Sequence, residues 1–243
     1  MIDITITATQ RSEVLERTLA SFKSNLFNNA DARMIINIDP VGPDNGFANT
    51  LTVAKKYFPV QYIRTPETPS FSKAFIWTWR QTCSEFVFHL EDDWELMRPV
   101  SLKRMIEIIK NNPDLAVLRL PFKPSGKTSM KNWRYFFPWN GEFFECPETL
   151  KREVGFCGHP SLIRGKFVDN IVKYLDETKN PEKQFHHGPP ELMKEIDRWR
   201  FGVFANQNQQ PAIRDIGRKW MIKHNYKKAG SKAFFTQWEK LNA

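Results

Sequence analysis

The chain has 243 residues, enough for one large α/β domain with a sizeable buried core. Hydrophobic residues make up 41% and charged residues 26%, as is typical of a soluble globular protein, and no low-complexity tail occurs. Lys and Arg number 36 against 27 Asp and Glu, a net charge of +9. Such a surface should attract polyanions, for example nucleic acid, a nucleoside diphosphate or an anionic membrane.

The cysteine pattern and the N-terminus indicate the compartment. Cys83, Cys146 and Cys157 include no C-x-x-C pair, which favours free thiols over disulfides or a zinc site. The N-terminus lacks a basic segment followed by an apolar run, and no stretch of about 18 apolar residues could span a membrane. We therefore expect a cytoplasmic protein, in the host cell if its source is viral; the oligomeric state stays open.

The first part of the chain alternates predicted strands and helices. The β-branched run at residues 2–8 predicts a strand, and a helix begins at Ser12. Further strands are predicted at residues 34–38 and 60–63, with a helix over residues 49–57 between them. This series predicts an α/β fold with a mostly parallel, doubly wound sheet and helices on both faces.

The next predicted strand ends in three consecutive acids. A helix over residues 73–82 leads into the run F-V-F-H-L-E-D-D-W-E at residues 86–95, whose first half is typical of a strand buried on both faces. Glu91, Asp92 and Asp93 would then lie at the carboxyl end of the sheet, where open α/β sheets bind ligands. A divalent cation shared with a substrate phosphate would offset their repulsion. The alternative is a solvated acidic turn.

The second part of the chain is less regular. A helix over residues 102–111 and a strand over residues 115–120 are predicted, after which periodicity fades. Residues 123–139 interleave basic and aromatic side chains, a pattern that suits stacking on a sugar or base, or equally a hairpin packed on the sheet edge. Residues 214–232 are again basic. No linker is apparent, so residues 1–243 are predicted to form one domain.

Taken together, these features resemble the A-type nucleotide-sugar glycosyltransferase fold, most closely its large inverting family. The first strand runs into T-A-T-Q-R-S, the second strand ends at an acid, and L-E-D-D-W is similar to the family's D-x-D metal motif. The resemblance implies that residues 1–120 bind the nucleotide sugar and residues 121–243 bind the acceptor. It also implies donor contacts from a set of side chains in the first half: Thr7, Thr9, Arg11, Asp39, Lys73, Glu91 and Asp92.

The resemblance further implies a metal site and basic contacts to the diphosphate. Asp93 is expected to bind Mn2+ or Mg2+ directly, with Glu91 as a second ligand and His224 as a further one. Arg164, in C-G-H-P-S-L-I-R, and Arg218 are candidates for contacting phosphate. His89, inside the acidic strand, is expected to be a hydrogen-bonded core residue.

An inverting transfer also needs a base near the acceptor. In the family this base is an acid downstream of the G-x-x-P-x-L-x-R region, which here makes Glu191 in P-P-E-L-M-K-E-I-D-R-W the first choice. Glu182, Glu195 and Asp197 are rivals. Glu191, Glu195 and Arg198 also fall at helical spacing, as a solvated helix face would.

The implied activity is metal-dependent transfer of a sugar from a UDP-sugar or GDP-sugar to a hydroxyl acceptor. The basic charge is compatible with a modified base in DNA, of the kind that some bacterial viruses glycosylate. A polysaccharide, lipid-linked or protein acceptor is an alternative. A DNA-binding module without catalysis is a second alternative, although the acids would repel DNA without a metal. A nucleotidyltransferase would normally carry a Gly-rich loop early in the chain, and none follows Ala8.

Overall fold

The computed structural model describes residues 1–44, 46–123, 137–205, 211–228 and 238–241. Its strands are β1 (Ile2–Thr9), β2 (Ala32–Asp39), β3 (Val60–Arg64), β4 (Phe86–Glu91), β5 (Trp94–Leu96), β6 (Leu115–Arg119), β7 (Phe122–Lys123), β8 (Phe144–Glu145), β9 (Ser161–Arg164), β10 (Arg200–Val203), β11 (Ile213–Asp215), β12 (Tyr226–Lys228) and β13 (Trp238–Lys240). Its helices are α1 (Ser12–Asn25), α2 (Ala48–Tyr57), α3 (Phe71–Arg80), α4 (Leu102–Asn111), α5 (Lys151–Val154), α6 (Gly165–Val172), α7 (Pro181–His187), α8 (Pro190–Asp197) and α9 (Gly217–Lys223).

The largest sheet has eight strands in the order β3-β2-β1-β4-β9-β6-β10-β8. β1 pairs in parallel with β2 and β4, β2 with β3, and β6 with β10. In this register Thr9 lies opposite Asp39, and Thr7 lies opposite Glu91. The carboxyl ends of β1, β2 and β4 therefore meet at one edge, as the predicted mostly parallel, doubly wound sheet requires.

One strand runs against the others in the middle of this sheet. β9 is antiparallel to both β4 and β6, and Ser161 at its start lies opposite His89 and Arg119. The amino end of β9 consequently lies at the carboxyl edge of its neighbours. The turn that precedes β9, residues 157–160, is thereby placed beside the acids that follow β4.

Helices cover both faces of the sheet, as predicted. Along β4, Phe88 and Leu90 face a core that also contains side chains of α1, α2 and α4. Val87 points the other way, into a core formed with α3, α6, α7 and α8. This alternation follows from the two-residue period of a strand. Because both faces of β4 are covered, all five residues 86–90 are buried.

The remaining strands form two small sheets. β5, β7 and β11 make one, in the order β5-β11-β7, and β12 pairs with β13 in the other. Residues 124–136 and 229–232, which belong to the predicted basic and aromatic segments, lie outside the described residues. Across the described ranges, none of the helices is both long and apolar enough to cross a membrane.

Candidate active site

The middle acid of the triplet joins two strands. Asp92 is buried, and its carboxylate accepts hydrogen bonds from the Thr9 amide (2.9 Å), the Thr9 hydroxyl (2.9 Å) and Arg11 Nη2 (2.6 Å). Its own amide donates to the Thr7 carbonyl at 3.2 Å. These bonds offset the cost of burying the charge and fix the ends of β1 and β4 relative to each other. Asp92 thus has a structural role at this edge.

The last acid of the triplet is more open. The side chain of Asp93 is 24% exposed, against 5% for Asp92, and its Oδ2 lies 3.3 Å from Arg11 Nη2. Gly217, at the start of α9, packs so closely that any side chain there would collide with the Asp93 carboxylate. The amide of Ile216 donates to the Asp93 carbonyl at 2.9 Å. The C-terminal segment therefore packs directly against Asp93.

Arg11 is the cation at the centre of this network. Its Nε donates to the Thr9 hydroxyl at 2.8 Å, and its Nη2 contacts both Asp92 and Asp93. Its guanidinium lies 4.3 Å from the ring centroid of Trp238 and 5.6 Å from that of Trp220, within cation-π range. Nη1 is buried and finds no hydrogen-bond partner among the described residues. Arg11 thus links the acids to the C-terminal aromatic side chains.

The end of β2 supplies a further buried acid. Asp39 accepts hydrogen bonds from Asn37 Nδ2 (2.8 Å) and from the amide of Ser70 (2.9 Å), and burial raises the pKa of its carboxyl group. Ser70 also caps α3, accepting a bond from the Lys73 amide, which explains why this helix begins before the predicted residue 73. The side chain of Lys73 is exposed on the first turn of α3.

Two carboxylates converge on Gly158, in the turn before β9. The Gly158 amide donates to Glu182 Oε1 at 2.5 Å. A Cβ atom on Gly158 would lie 2.9 Å from Glu91 Oε1 and 3.1 Å from Glu182 Oε1. Glu182 comes from the first turn of α7, which Asn180 caps. The structure thus brings Glu182 beside the first acid of the triplet, at the carboxyl edge of the sheet.

The other candidate bases lie on α8. Glu191 is exposed in its first turn, and no hydrogen bond or ion pair of Glu191 is found within the described part of the chain. Glu195 is largely buried, and it accepts from Asn170 (2.7 Å) and Trp199 (3.2 Å) while pairing with Arg198. Asp197 pairs with Arg152. None of these contacts involves the acid triplet, so the geometry favours Glu182 over its three rivals.

Three predicted site residues lie away from the triplet or face solvent. Arg164 is at the end of β9, opposite Phe86, and donates to the Ile109, Asn112 and Leu115 carbonyls. It therefore lies at the amino edge of β4 and caps the end of α4, which does not agree with a contact to diphosphate. Because β9 is antiparallel, its last residue is at the edge opposite the acids.

Arg218 and His224 belong to the C-terminal segment. Arg218 is exposed, and its backbone amide donates to Asp215 Oδ1. The His224 ring stacks on Trp220 with centroids 4.4 Å apart, and its Nε2 lies 3.1 Å from Glu13 Oε1. The observed partners of His224 are thus Trp220 and Glu13 rather than the acid triplet.

His89 is buried in the core, as expected. Its Nδ1 lies 3.2 Å from the Thr5 hydroxyl, and its ring packs edge-on against Phe75 and Trp79. Burial lowers the pKa of His89 to about 3, so the imidazole is neutral at physiological pH.

The sequence analysis missed Arg119. This residue ends β6 and is 8% exposed, with Nη1 donating to Cys157 Sγ at 2.9 Å. A signal was present: a charged residue near the end of the apolar run L-A-V-L-R-L lies where open α/β sheets bind ligands. Arg119 therefore adds a cation to the carboxyl edge.

The donor set at this edge suits a hard cation only in part. Asp93 and Glu91 offer carboxylate oxygens, the ligands that Mn2+ and Mg2+ prefer. Across the described ranges, no group of three or more His, Cys, Asp or Glu side chains is arranged to hold a metal. A bound ion would thus need additional ligands, such as diphosphate oxygens and water, as is usual for Mg2+.

Comparison with known proteins identifies the family. The model of glycosyl transferase family 2 matches residues 3–172, which is 170 of the 243 residues. The chain belongs to this family. The matched range includes the acid triplet and Gly158 but ends before α7 and Glu182. The comparison with curated proteins finds no match.

Solved structures of the same fold include TarS from S. aureus. TarS 1-349 in complex with UDP-GlcNAc superposes with a TM-score of 0.61 at 13% identity, over 96% of this chain and 60% of that one. TarS 1-349 in complex with UDP gives 0.59 at 14% identity, over 88% and 60%. A longer TarS structure gives 0.59 at 14% identity, over 88% of this chain and 36% of TarS. At this identity the likeness shows the A-type glycosyltransferase fold.

Proposed function

We propose that this protein is a metal-dependent glycosyltransferase that moves a sugar from a nucleoside-diphosphate sugar to a hydroxyl group. The observation that carries the proposal is that the Glu91 and Glu182 carboxylates meet at Gly158, beside the strand end that also carries Asp93, in a family 2 sheet. A UDP-sugar is the favoured donor, because the similar TarS structures contain UDP and UDP-GlcNAc. A GDP-sugar is the other donor that the sequence leaves open.

The donor would bind across the ends of β1, β2 and β4. Asp39 and Thr7, from the ends of β2 and β1, would contact the nucleoside, and Arg11 would orient Asp93 through its Nη2. Asp92 contributes by holding Thr9 and Arg11 in place. Lys73 and Arg218 are exposed cations that could reach phosphate from α3 and α9.

Asp93 and Glu91 would hold the divalent ion. The ion would neutralise negative charge on the departing diphosphate. Glu182 would act as the base. The acceptor oxygen forms a bond to the anomeric carbon, and the bond from that carbon to the diphosphate oxygen breaks. The nucleoside diphosphate leaves with the electron pair, the hydroxyl proton passes to Glu182, and the configuration of the sugar is inverted.

The net charge of the protein favours a polyanion as the molecule that carries the acceptor hydroxyl. The net charge of +9 would attract nucleic acid and would make binding sensitive to salt. A modified base in DNA, as in glycosylation by phage enzymes, combines such a backbone with a reactive hydroxyl. Cytoplasmic location, expected from the cysteine pattern, agrees with this acceptor.

The test is thermal stability with UDP or GDP, each with and without Mn2+. A ligand that binds only the folded state stabilises it by about 2.7 kcal/mol at a hundred times its dissociation constant. We expect a Mn2+-dependent shift with one nucleotide, lost in Asp93→Ala. Asp31→Ala is the matched control, since Asp31 is an exposed acid that precedes β2 at the opposite edge.

Release of the nucleoside diphosphate from the matching nucleotide sugar then measures turnover. Asp93→Ala should lose metal-dependent turnover while its unfolding temperature without ligand stays close to that of the parent. Full turnover in Asp93→Ala would refute the metal assignment. If neither nucleotide shifts the parent protein, the proposal of a transferase fails and a binding protein becomes the better description.

A further inference from the structure

A cavity of about 320 Å3 lies at the carboxyl edge of the large sheet, next to Gly158. Its lining comes from the ends of β6 and β10, from β7, from α5 and α7, and from the turn before β9. Most of the wall is apolar or aromatic, including Pro121, Phe122, Phe137, Val154, Phe156 and Val203. The volume is at the lower end of the range for small-molecule sites, so it suits a single ring better than an oligosaccharide.

The polar groups of this cavity are confined to a few positions. Arg119 contributes its guanidinium, which lies 5.3 Å from the ring centroid of Phe137 and donates to Cys157. The His159 ring is tilted against that of Phe122, with centroids 4.8 Å apart, and His186 also lines the wall. Glu153 is on the rim, and within the described ranges it forms no ion pair with Arg119. Among the residues that the structure describes, the largely buried Arg119 guanidinium thus lines the cavity without a carboxylate partner.

Cys157 is the immediate partner of that guanidinium. Burial disfavours the thiolate, but Arg119 and His159 outweigh it and lower the pKa of Cys157 to about 6. Cys157 as a whole residue is partly exposed, and it lines the cavity wall. The guanidinium carries five N–H donors, and one of them is used here. No other hydrogen bond of Arg119 is found in the described part of the chain, so its remaining N–H groups are the donors that a ligand with hydrogen-bond acceptors would meet.

These features restrict the chemistry of the occupant. A sugar or polyol brings hydroxyls around its whole perimeter, and each would need a partner that an apolar wall does not offer. A flat heteroaromatic ring stacks on aromatic side chains and carries its oxygen and nitrogen acceptors on one edge. The net charge of +9 favours a ring attached to nucleic acid over a tyrosine side chain.

We propose that this cavity is the acceptor pocket and that it takes a nucleobase bearing the acceptor hydroxyl, with its hydrogen-bonding edge toward Arg119. The proposal rests on the proposed function above. The link is structural: Cys157 lines the cavity, and the next residue, Gly158, holds the Glu182 carboxylate through its amide. A ring in the pocket would therefore lie beside Glu182, the proposed catalytic base. The nucleobase must leave the DNA stack to enter the pocket, so single-stranded DNA should bind better than duplex.

The experiment uses Cys157 as a reporter of occupancy. The protein is treated with iodoacetamide at pH 7, and alkylation of each cysteine is followed by peptide mass spectrometry. The probe is a single-stranded oligonucleotide with one 5-hydroxymethylcytosine. At ten times its dissociation constant it should slow alkylation of Cys157 roughly tenfold. Alkylation of the exposed Cys83 should not change, because Cys83 lies beside Arg33 and away from the cavity.

Two variants keep the test specific. Val154→Trp should fill the rim, because Val154 is 37% exposed and the added ring needs no change in the core. It should abolish protection by the oligonucleotide and retain the stability shift with nucleotide and Mn2+. Arg119→Lys keeps the charge but loses the planar set of donors, so protection should weaken at an unchanged unfolding temperature.

Other acceptor classes serve as competing probes. Equal or stronger protection by a polysaccharide, by a methyl glycoside or by N-acetyltyrosinamide would overturn the choice of a nucleobase. Protection that persists in Val154→Trp would show that the oligonucleotide binds elsewhere, and would equally overturn the pocket.

The outcomes also separate this inference from the proposed function. A Mn2+-dependent nucleotide shift without protection of Cys157 would refute the pocket and leave the transferase proposal standing. Protection without any nucleotide shift would refute the transferase and leave a base-binding pocket. Alkylation of Cys157 does not require turnover, so neither result depends on finding the donor sugar.

Discussion

Two neighbouring regions of one sheet edge are built in opposite ways. The proposed donor edge, formed by the ends of β1, β2 and β4, is a network in which Asp92 and Arg11 are almost fully buried and bonded to each other. The proposed acceptor pocket, lined from β6, β7, β10, α5, α7 and the turn before β9, is mostly apolar and contains a guanidinium bonded to a thiol. Substitutions at the proposed donor edge should therefore change both ligand binding and the stability of the fold. Substitutions in the proposed pocket should change specificity with little loss of stability.

The largest effect is expected where the two regions meet. Glu182→Gln keeps the shape of the side chain but cannot take a proton, so the transfer rate should fall by roughly 10^2 to 10^4-fold. The shift in stability with nucleotide and Mn2+ should remain. Glu177→Gln is the control, since Glu177 is a partly exposed acid paired with Arg80. If Glu191→Gln abolishes transfer and Glu182→Gln does not, the base is Glu191.

The next effect separates two adjacent acids within the donor edge. Asp92→Asn breaks a buried ion pair and leaves Arg11 poorly compensated, so the free energy of unfolding should fall by about 3 kcal/mol. Asp93→Asn, at a more exposed site, should cost less than a third of that and act mainly on metal-dependent turnover. Urea unfolding of both variants measures the difference. Similar losses would mean that the network does not depend on Asp92.

Gly158→Ala tests how tightly the carboxylates are placed. The added methyl group would contact the Glu91 and Glu182 carboxylates, which are the free ends of flexible side chains. We expect about a tenfold loss of transfer, because misplacing a reacting group is costly even when folding is not. The unfolding temperature should stay within a few degrees of the parent. Unchanged transfer would show that the position of Glu182 tolerates displacement.

The last effect is seen only in the pH dependence of stability, and it concerns the buried histidine of β4. The pKa of His89 is about 3 in the folded protein and near 6.5 in the unfolded chain, so the unfolded state binds more protons between these values. Its contribution to stability is complete above pH 6.5 and is lost as the pH falls toward 3, by roughly 1 kcal/mol per pH unit. His89→Gln should flatten this part of the stability profile. An unchanged slope in urea unfolding from pH 6.5 to 4.5 would contradict it.

The sequence determined the local features of this protein. Alternating apolar runs and helical spacing fixed β1 to β4 and their helices, because the periods of strands and helices are visible in the residues themselves. The position of Glu91, Asp92 and Asp93 directly after a buried strand was likewise visible in the sequence itself. The T-A-T-Q-R-S motif also led to Arg11, which the structure joins to these acids.

The direction of β9 and the partners of each side chain were decided by the tertiary structure alone. A four-residue strand pairs in either direction, and the antiparallel choice moved Arg164 to the far edge while bringing Cys157 and Gly158 to the near one. The same choice set Glu182 beside Glu91, 91 residues earlier in the chain. Contacts between residues so far apart in the chain depend on how the helices and strands pack. The local periodicity of the sequence does not determine that packing.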